Sequence, residues 1–334
     1  MLTSKKNFYK GNLHCHSTLS DGRFTPQELK EHYKSKGYSI LAITDHENIN
    51  NNSYLDDEDF LTITSTEIAI KQFPERSTLV DYNMKVCHLN LYAKQQDNDI
   101  NVCYNSVLDH FTKGEARNRI KKLGGEYERI YGKDGINDII RIANENGFFV
   151  CYNHPRWSLE NYSDYCGYDG LWGVEIFNTG NNVSGMYEYN INVLDDFLRD
   201  GKRVFASSGD DNHNACGFRD SFKTFVSVNA ESLDYDTIIN ALLNGDFYTS
   251  TGPTISELYV ENGEAFIKCS PAAQITFSTS GRRTESAIAD EGTSICEAKF
   301  SIHDADRYFR IDVVDEFGHR ANTQAYFLDQ LDLY

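Results

Sequence analysis

Apolar, β-branched and aromatic residues gather in short runs that end in polar or charged residues through the first two thirds of the chain. The pattern predicts buried strands at Asn12–Cys15, Ser39–Thr44, Leu61–Ser65, Val86–Leu91, Phe148–Tyr152, Trp172–Phe177 and Val204–Ser207. Between several of them lie helical patterns, Pro26–Lys36, Ile136–Glu145 and Tyr187–Asp200. Each is followed by a glycine (Gly37, Gly147, Gly201), the residue expected just past a helix end. Strand and helix in alternation predict a parallel α/β architecture, either a barrel or an open sheet.

After Gly252-Pro253 the texture changes to alternating segments with no helical period: Glu257–Val260, Glu264–Cys269, Ala273–Ser278, Glu297–His303 and Arg310–Val314. Asn262-Gly263 between the first two is a hairpin signal. The organisation predicted is a barrel over residues 1–253 and a small antiparallel β domain, sandwich-like, over 254–334. A long connection, residues 94–134, is expected to be an insertion in the barrel, partly helical or a lid. It carries Lys113, Arg117, Arg119, Lys121 and Lys122 in an otherwise acidic chain. Two readings stand side by side, a solvated helix face and a lid that attracts anions.

A length of 334 residues exceeds the usual single core, in keeping with one large unit and a smaller one. The composition, 40% hydrophobic with only 5 Pro, excludes a disordered chain. Lys5, Lys6 and Lys10 near the start flank no apolar signal core, and no stretch approaches ~20 apolar residues, so a cytoplasmic protein is expected. The eight Cys stand singly without a CxxC pair, which fits reduced thiols. A net charge of -18 argues against polynucleotide substrates and anionic membranes, because a phosphate backbone needs clustered Lys and Arg.

Chemistry enters with His14-Cys15-His16 at the end of the first predicted strand. Residues i and i+2 of a strand project to one side about 6.6 Å apart, so two imidazoles can converge on one ion while Cys15 faces the core. Similar residues recur at later strand ends: Asp45-His46, Glu67, His88, Asn153-His154 and Asp211-Asn212-His213. Any one of these alone reads as a cap or a satisfied polar group; six strand ends together read as a shared rim, where parallel barrels assemble their sites. His32, His110, His303 and His319 lack such placement and read as surface or core residues. Glu175 reads equally as an orienting partner of a ligand and as a structural ion pair.

The run from His14 to Gly22, HCHSTLSDG, resembles the opening HxHSxxSDG motif of the PHP (polymerase and histidinol phosphatase) family, and Thr44-Asp45-His46 resembles its second motif. Glu67, His88, Asn153-His154-Pro155 and Asp211-Asn212-His213 match the remaining motifs in order, over about Tyr9 to Thr251. The resemblance implies a distorted seven-stranded (β/α) barrel with two or three divalent metal ions, Zn, Mn or Fe, in its mouth. By analogy His14, His16, Glu67 and Asp211 bind one ion, Glu67, His88 and His154 a second, and Asp21, His46 and His213 a third. Many members place His where this chain has Asp21, which leaves the third ion open.

Lys10-Gly11-Asn12-Leu13-His14, the segment Gly245–Pro253 and the β tail resemble the CehA/McbA-like subgroup. Arg156 and Arg117 resemble phosphate-holding positions of nucleotide-cleaving relatives, and Arg219 is a third candidate, with a surface salt bridge as the alternative for each. Two ions about 3.5 to 4 Å apart can share a hydroxide as nucleophile. The activity implied is hydrolysis of a small phosphomonoester or phosphodiester, with the leaving group protonated by His213, Asp211 or a water. Rival readings are an amide, carbamate or carboxylic ester hydrolase, a noncatalytic PHP module, and an exonuclease.

Overall fold

A computed structural model of the chain describes residues 1–73, 83–187 and 189–331. Strands β1 (Asn7–Asn12), β2 (Ile40–Ala42) and β3 (Leu61–Ile63) pair in parallel. They are followed by β4 (Ser65–Lys71), β5 (Val86–Ala93), β6 (Phe148–Tyr152), β7 (Gly173–Asn178) and β8 (Phe205–Gly209), which form a second sheet in that order. In it β6, β7 and β8 are parallel, as expected, whereas β4–β5 and β5–β6 are antiparallel. Strands β9 (Phe225–Ala230) and β10 (Phe247–Ser250) return antiparallel beside β1.

A closed barrel of seven parallel strands, the expectation above, is not what these ladders form. Among the described residues isolated bridges, not ladders, link the two sheets at the ligand-bearing ends: Cys15↔Asn212, His46↔Glu67 and Asn50↔Ser65. The reason is local backbone conformation. Glu47 (φ 68°) and Asp211 (φ 50°) are left-handed at these strand ends, and a left-handed residue cannot extend a ladder. The first strand also ends earlier than its apolar pattern predicts, so His14 and His16 lie beyond it.

The helices follow their sequence signals closely. Pro26–Ser35 starts on a Thr25/Glu28 capping box with Pro26 in its first turn. Lys133–Glu145 buries Ile136, Ile139, Ile140 and Ala143, and Ile191–Arg199 buries Val193, Leu194, Phe197 and Leu198. Both pack into one apolar cluster with Val150, Val174 and Ala206 of the second sheet.

The tail contributes β11 (Ile255–Glu261), β12 (Glu264–Ala272), β13 (Gln274–Thr279), β14 (Thr284–Ile288), β15 (Ile295–Ser301), β16 (Tyr308–Val314), β17 (Arg320–Thr323) and β18 (Tyr326–Phe327). Asn262 (φ 50°) and Gly263 (φ 74°) close the β11–β12 hairpin, as their dipeptide predicts. β11, β12 and β15 form a small sheet, but β17 pairs with β10, so the other tail strands extend the sheet of β1 across the segment near Thr251. One apolar cluster spans both sides, joining Leu29, Tyr33 and Leu41 to Phe277, Phe309 and Ile311. Among the described residues no helix is long and apolar enough to cross a membrane.

Within residues 94–134 the helical residues are the single turn Glu115–Asn118 and the start of the Lys133–Glu145 helix. The segment is nonetheless tied down: Val102, Cys103, Tyr104 and Asp109 are buried, and Asn101 bridges to Lys122. Arg129 is buried against Glu47 at 2.6 Å and donates to the Ala69 and Cys103 carbonyls. Most of the positive cluster is paired locally, Lys121 with Asp99, Lys122 with Glu126 and Arg119 with Glu115.

Candidate metal centre

The turns after β1, β2, β6 and β8, together with β4 and β5 themselves, deliver nine side chains to one place. His14, His16, Glu67 and Asp211 form one group of donors, Glu67, His88 and His154 a second, and Asp21, His46, His213 and His16 a third. These are the nine positions singled out in the sequence, in the three groupings expected, with His16 added to the third. That ring cannot serve two groups equally. Its Nε2 lies 3.0 Å from Asp211 Oδ1 and 3.5 Å from Glu67 Oε2, while its Nδ1 is 3.8 Å from Asp21, so it belongs to the first.

The spacing of donors tests whether an ion fits. Two ligand atoms each roughly 2.0–2.1 Å from a tetrahedral ion stand roughly 3.3–3.4 Å apart. In the first group His14 Nε2 is 3.3 Å from His16 Nε2, 3.2 Å from Asp211 Oδ1 and 3.4 Å from Glu67 Oε1. In the second, Glu67 Oε1 is 3.0 Å from His88 Nδ1 and 3.2 Å from His154 Nε2. The third is looser, with Asp21 3.3 Å from His213 and 3.7 Å from His46. The donor set therefore fits divalent cations, most closely in the first two groups.

Glu67 is the hub and is 1% exposed. Oε1 faces His14, His88, His154 and the Asn153 amide, which donates at 2.8 Å; Oε2 faces His16 and His46. A carboxylate offers about four lone-pair positions, so five rings and an amide exceed what hydrogen bonds alone can satisfy. Burial would raise the carboxyl's pKa, but His88 and His14 outweigh it and hold Glu67 well below its ordinary value. Asp211 is likewise driven well down, burial being overcome by His14 and His16. Conversely, burial disfavours charge on His14, yet Asp211, Glu67 and Glu175 push its pKa well up. His16, buried beside His213 and His46, drops to about 3 and stays a neutral donor.

The ligands are themselves held. Glu175 of β7, one of the two readings left open for it above, accepts from His14 Nδ1 at 2.9 Å and from the His154 backbone at 3.1 Å. That contact fixes the tautomer that turns His14 Nε2 toward Glu67 and Asp211. Asn178 donates to both Glu175 and Asp211. Gly209 lies so close that a Cβ there would stand 2.2 Å from His14 Cβ, so this glycine makes room for the ligand. His154 itself is strained, at φ 25°. Asp45, next to His46, accepts from Ser17 and Ser20 and shapes the His14–Gly22 turn.

Sequence reading missed Asn178, Phe111 and Trp157. Phe111, from the long connection, stacks on His46 at 5.7 Å; Trp157 lies 4.9 Å from both His88 and His154. Their signal was only proximity, since Trp157 follows the His154 motif by three residues. The three arginines are not drawn into the cluster. Arg117 donates to the Thr112 and Asp109 carbonyls of its own loop, and Arg156 and Arg219 are exposed. Arg117 lines a shallow cleft with His110 and Lys113. His32 packs on Phe24 and Phe218, and His319 pairs with Asp315, away from the cluster.

The PHP domain family matches residues 12–166, a stretch that holds seven of the nine side chains and ends before Asp211 and His213. Residues of the chain are 57% identical over 37 positions to the DNA polymerase/3'-5' exonuclease PolX of Bacillus subtilis, covering 11% of this chain and 6% of that protein. They are 48% identical over 40 positions to a 5'-3' exoribonuclease of Haemophilus influenzae, covering 12% and 15%. The chain thus spans a small part of each curated relative. Among solved structures, a two-domain protein of Bacteroides vulgatus containing a predicted PHP-like metal-dependent phosphoesterase aligns with 98% of this chain and 96% of its own, at 14% identity and a TM-score of 0.46. An amidohydrolase from Chromobacterium violaceum, with bound sulfate and no metal, aligns over 61% and 87%, at 16% identity and a TM-score of 0.37.

Proposed function

We propose that the protein is a metal-dependent hydrolase of the PHP type whose substrate is a small phosphomonoester or phosphodiester. The observation that carries this reading is Glu67, one buried carboxylate shared by two groups of donors at ligand spacing. His14, His16, Glu67 and Asp211 would hold one ion, Glu67, His88 and His154 a second, and Asp21, His46 and His213 a third. Softness of the donors suits Zn, Mn or Fe. When bound, such ions supply Lewis acidity and lower the pKa of water.

The chain's own residues supply the rest. His213 is a third exposed, held by the Asp211 carbonyl at 3.1 Å, and its pKa is raised to about 9; burial alone would lower it, but Asp21 and Asp211 prevail. Without an ion in the third group this ring keeps its proton at neutral pH and is suited to protonate a leaving oxygen; as a ligand it has no proton to give, and a water takes that role. Asp211, held ionised, would serve as a ligand, and its backbone carbonyl orients that ring. Arg156 follows the His154-Pro155 turn and is exposed, available to a phosphate oxygen, with exposed Arg219 and with Arg117, whose Nε and Nη2 already donate to its own loop, as further candidates. The CehA/McbA-like assignment and a division of the chain into residues 1–253 and 254–334 belong to the same proposal.

A second reading, cleavage at a nucleic-acid end, is favoured by the two short exonuclease matches and opposed by the net charge of -18. The test is a panel of phosphomonoesters, phosphodiesters, carboxylic esters and single-stranded DNA with Mn-loaded and Zn-loaded protein, alongside elemental analysis. Turnover of small phosphoesters with metal bound is expected. Turnover of carboxylic esters alone moves the assignment to an acyl hydrolase, and metal-free protein under saturating supply ends it.

A further inference from the structure

We propose that Trp157 and Phe111 form an aromatic border to the metal centre that selects phosphoesters carrying a planar, unsaturated group, aryl or heteroaryl, beside the scissile bond. The inference rests on the phosphoester reading above and names the substrate class for that site. Trp157 is 38% exposed, a large ring left partly in solvent although it stands 4.9 Å from two candidate ligands, His88 and His154. Phe111 stacks at 20° on His46, and the His46 and His88 rings are 5.7 Å apart, so the two aromatics border adjoining ligands.

The exposure gradient of the cluster points the same way. His14, His16 and Glu67 are sealed, whereas the His46 side chain is 16% exposed, His213 33% and Asp21 38%, so a substrate meets the centre from this outer group, where Phe111 stacks on His46. Phe111 has one face committed to His46, and Trp157 meets His154 edge to face at 79°. Partly uncovered indole and phenyl surface next to a cation site favours a flat π-system over a saturated chain, since stacking adds to simple burial. Phe111 comes from the connection whose His110, Lys113 and Arg117 line a shallow cleft.

Paired non-hydrolysable inhibitors test this without leaving-group effects. Inhibition constants for phenylphosphonate and methylphosphonate are measured on Mn-loaded wild type, Trp157→Ala, Trp157→Phe and Phe111→Ala, with metal content checked for each. The preference for phenylphosphonate is expected to fall about tenfold in Trp157→Ala, less in Phe111→Ala, and to return largely in Trp157→Phe. Direct binding gives a second readout: 4-nitrophenylphosphonate should quench the emission of wild type and not of Trp157→Phe, which keeps only buried Trp172. An unchanged preference in metal-loaded Trp157→Ala and Phe111→Ala overturns the aromatic border. Wild type that hydrolyses no phosphoester at all overturns the functional reading instead, so the two failures are distinct.

Discussion

The inner and outer halves of the cluster are held in different ways. Glu67, His14 and Asp211 are gripped from behind by Asn153, Glu175 and Asn178, and their donors stand at the separations a tetrahedral ion imposes. Asp21 and His213 are each about a third exposed, and Asp21 stands 3.7 Å from His46, wider than the inner spacings. The inner half is preorganised before any ion arrives; the outer half gains its geometry from what binds. The lesson is that tight retention of metal and exchange with substrate can be assigned to opposite ends of one cluster.

The sharpest way to break the contrast is Glu67→Gln, which keeps the shape of the hub and removes its charge. Bound metal by elemental analysis should fall at both inner groups, and turnover by more than about a hundredfold; retention of either would sink the role of the hub. Glu175→Gln leaves every ligand in place and loosens only His14. Metal affinity, read by chelator competition, should weaken roughly 10- to 100-fold. Asp21→Asn probes the outer half, where one ion fewer per chain is expected, with turnover reduced about tenfold and the inner ions retained. Equal loss from both halves would show that the contrast in packing has no energetic counterpart.

The smallest effect is on stability. His154 and His213 are each raised to about 9, burial opposing but neighbouring carboxylates prevailing. A base whose folded pKa lies above its ordinary 6.5 contributes stability in full below pH 6.5, and that contribution drains away as the pH climbs through 9. Metal-stripped protein should therefore lose a few degrees of Tm between pH 6.5 and 9. Mn-loaded protein should hold its Tm, since the ion takes over from the protons. A flat profile for the stripped protein contradicts the sign.

Much of this was legible in the sequence because chemistry and punctuation are local. HCHSTLSDG, Asp45-His46 and Asp211-Asn212-His213 announce donors, and Gly37, Gly147 and Gly201 end the helices they follow. What escaped depends on partners far away. β4 lies past the predicted run Leu61–Ser65, and its antiparallel pairing with β5 is settled by register across the sheet. Asn178 and Trp157 carry no motif; their roles appear only when distant turns fold onto Asp211 and His88. The arginines illustrate the converse, since a cationic residue beside a motif is as readily spent on its own loop, as Arg117 is.

The ladder between β10 and β17 has a practical corollary for anyone trimming the chain. Ending a clone after Pro253 would strip Tyr248–Ser250 of their β17 partners and remove the tail residues that share an apolar cluster with Leu29, Tyr33 and Leu41. Such a fragment would present a sticky border for self-association. The tail is better handled as a wall of the same building than as a detachable annex.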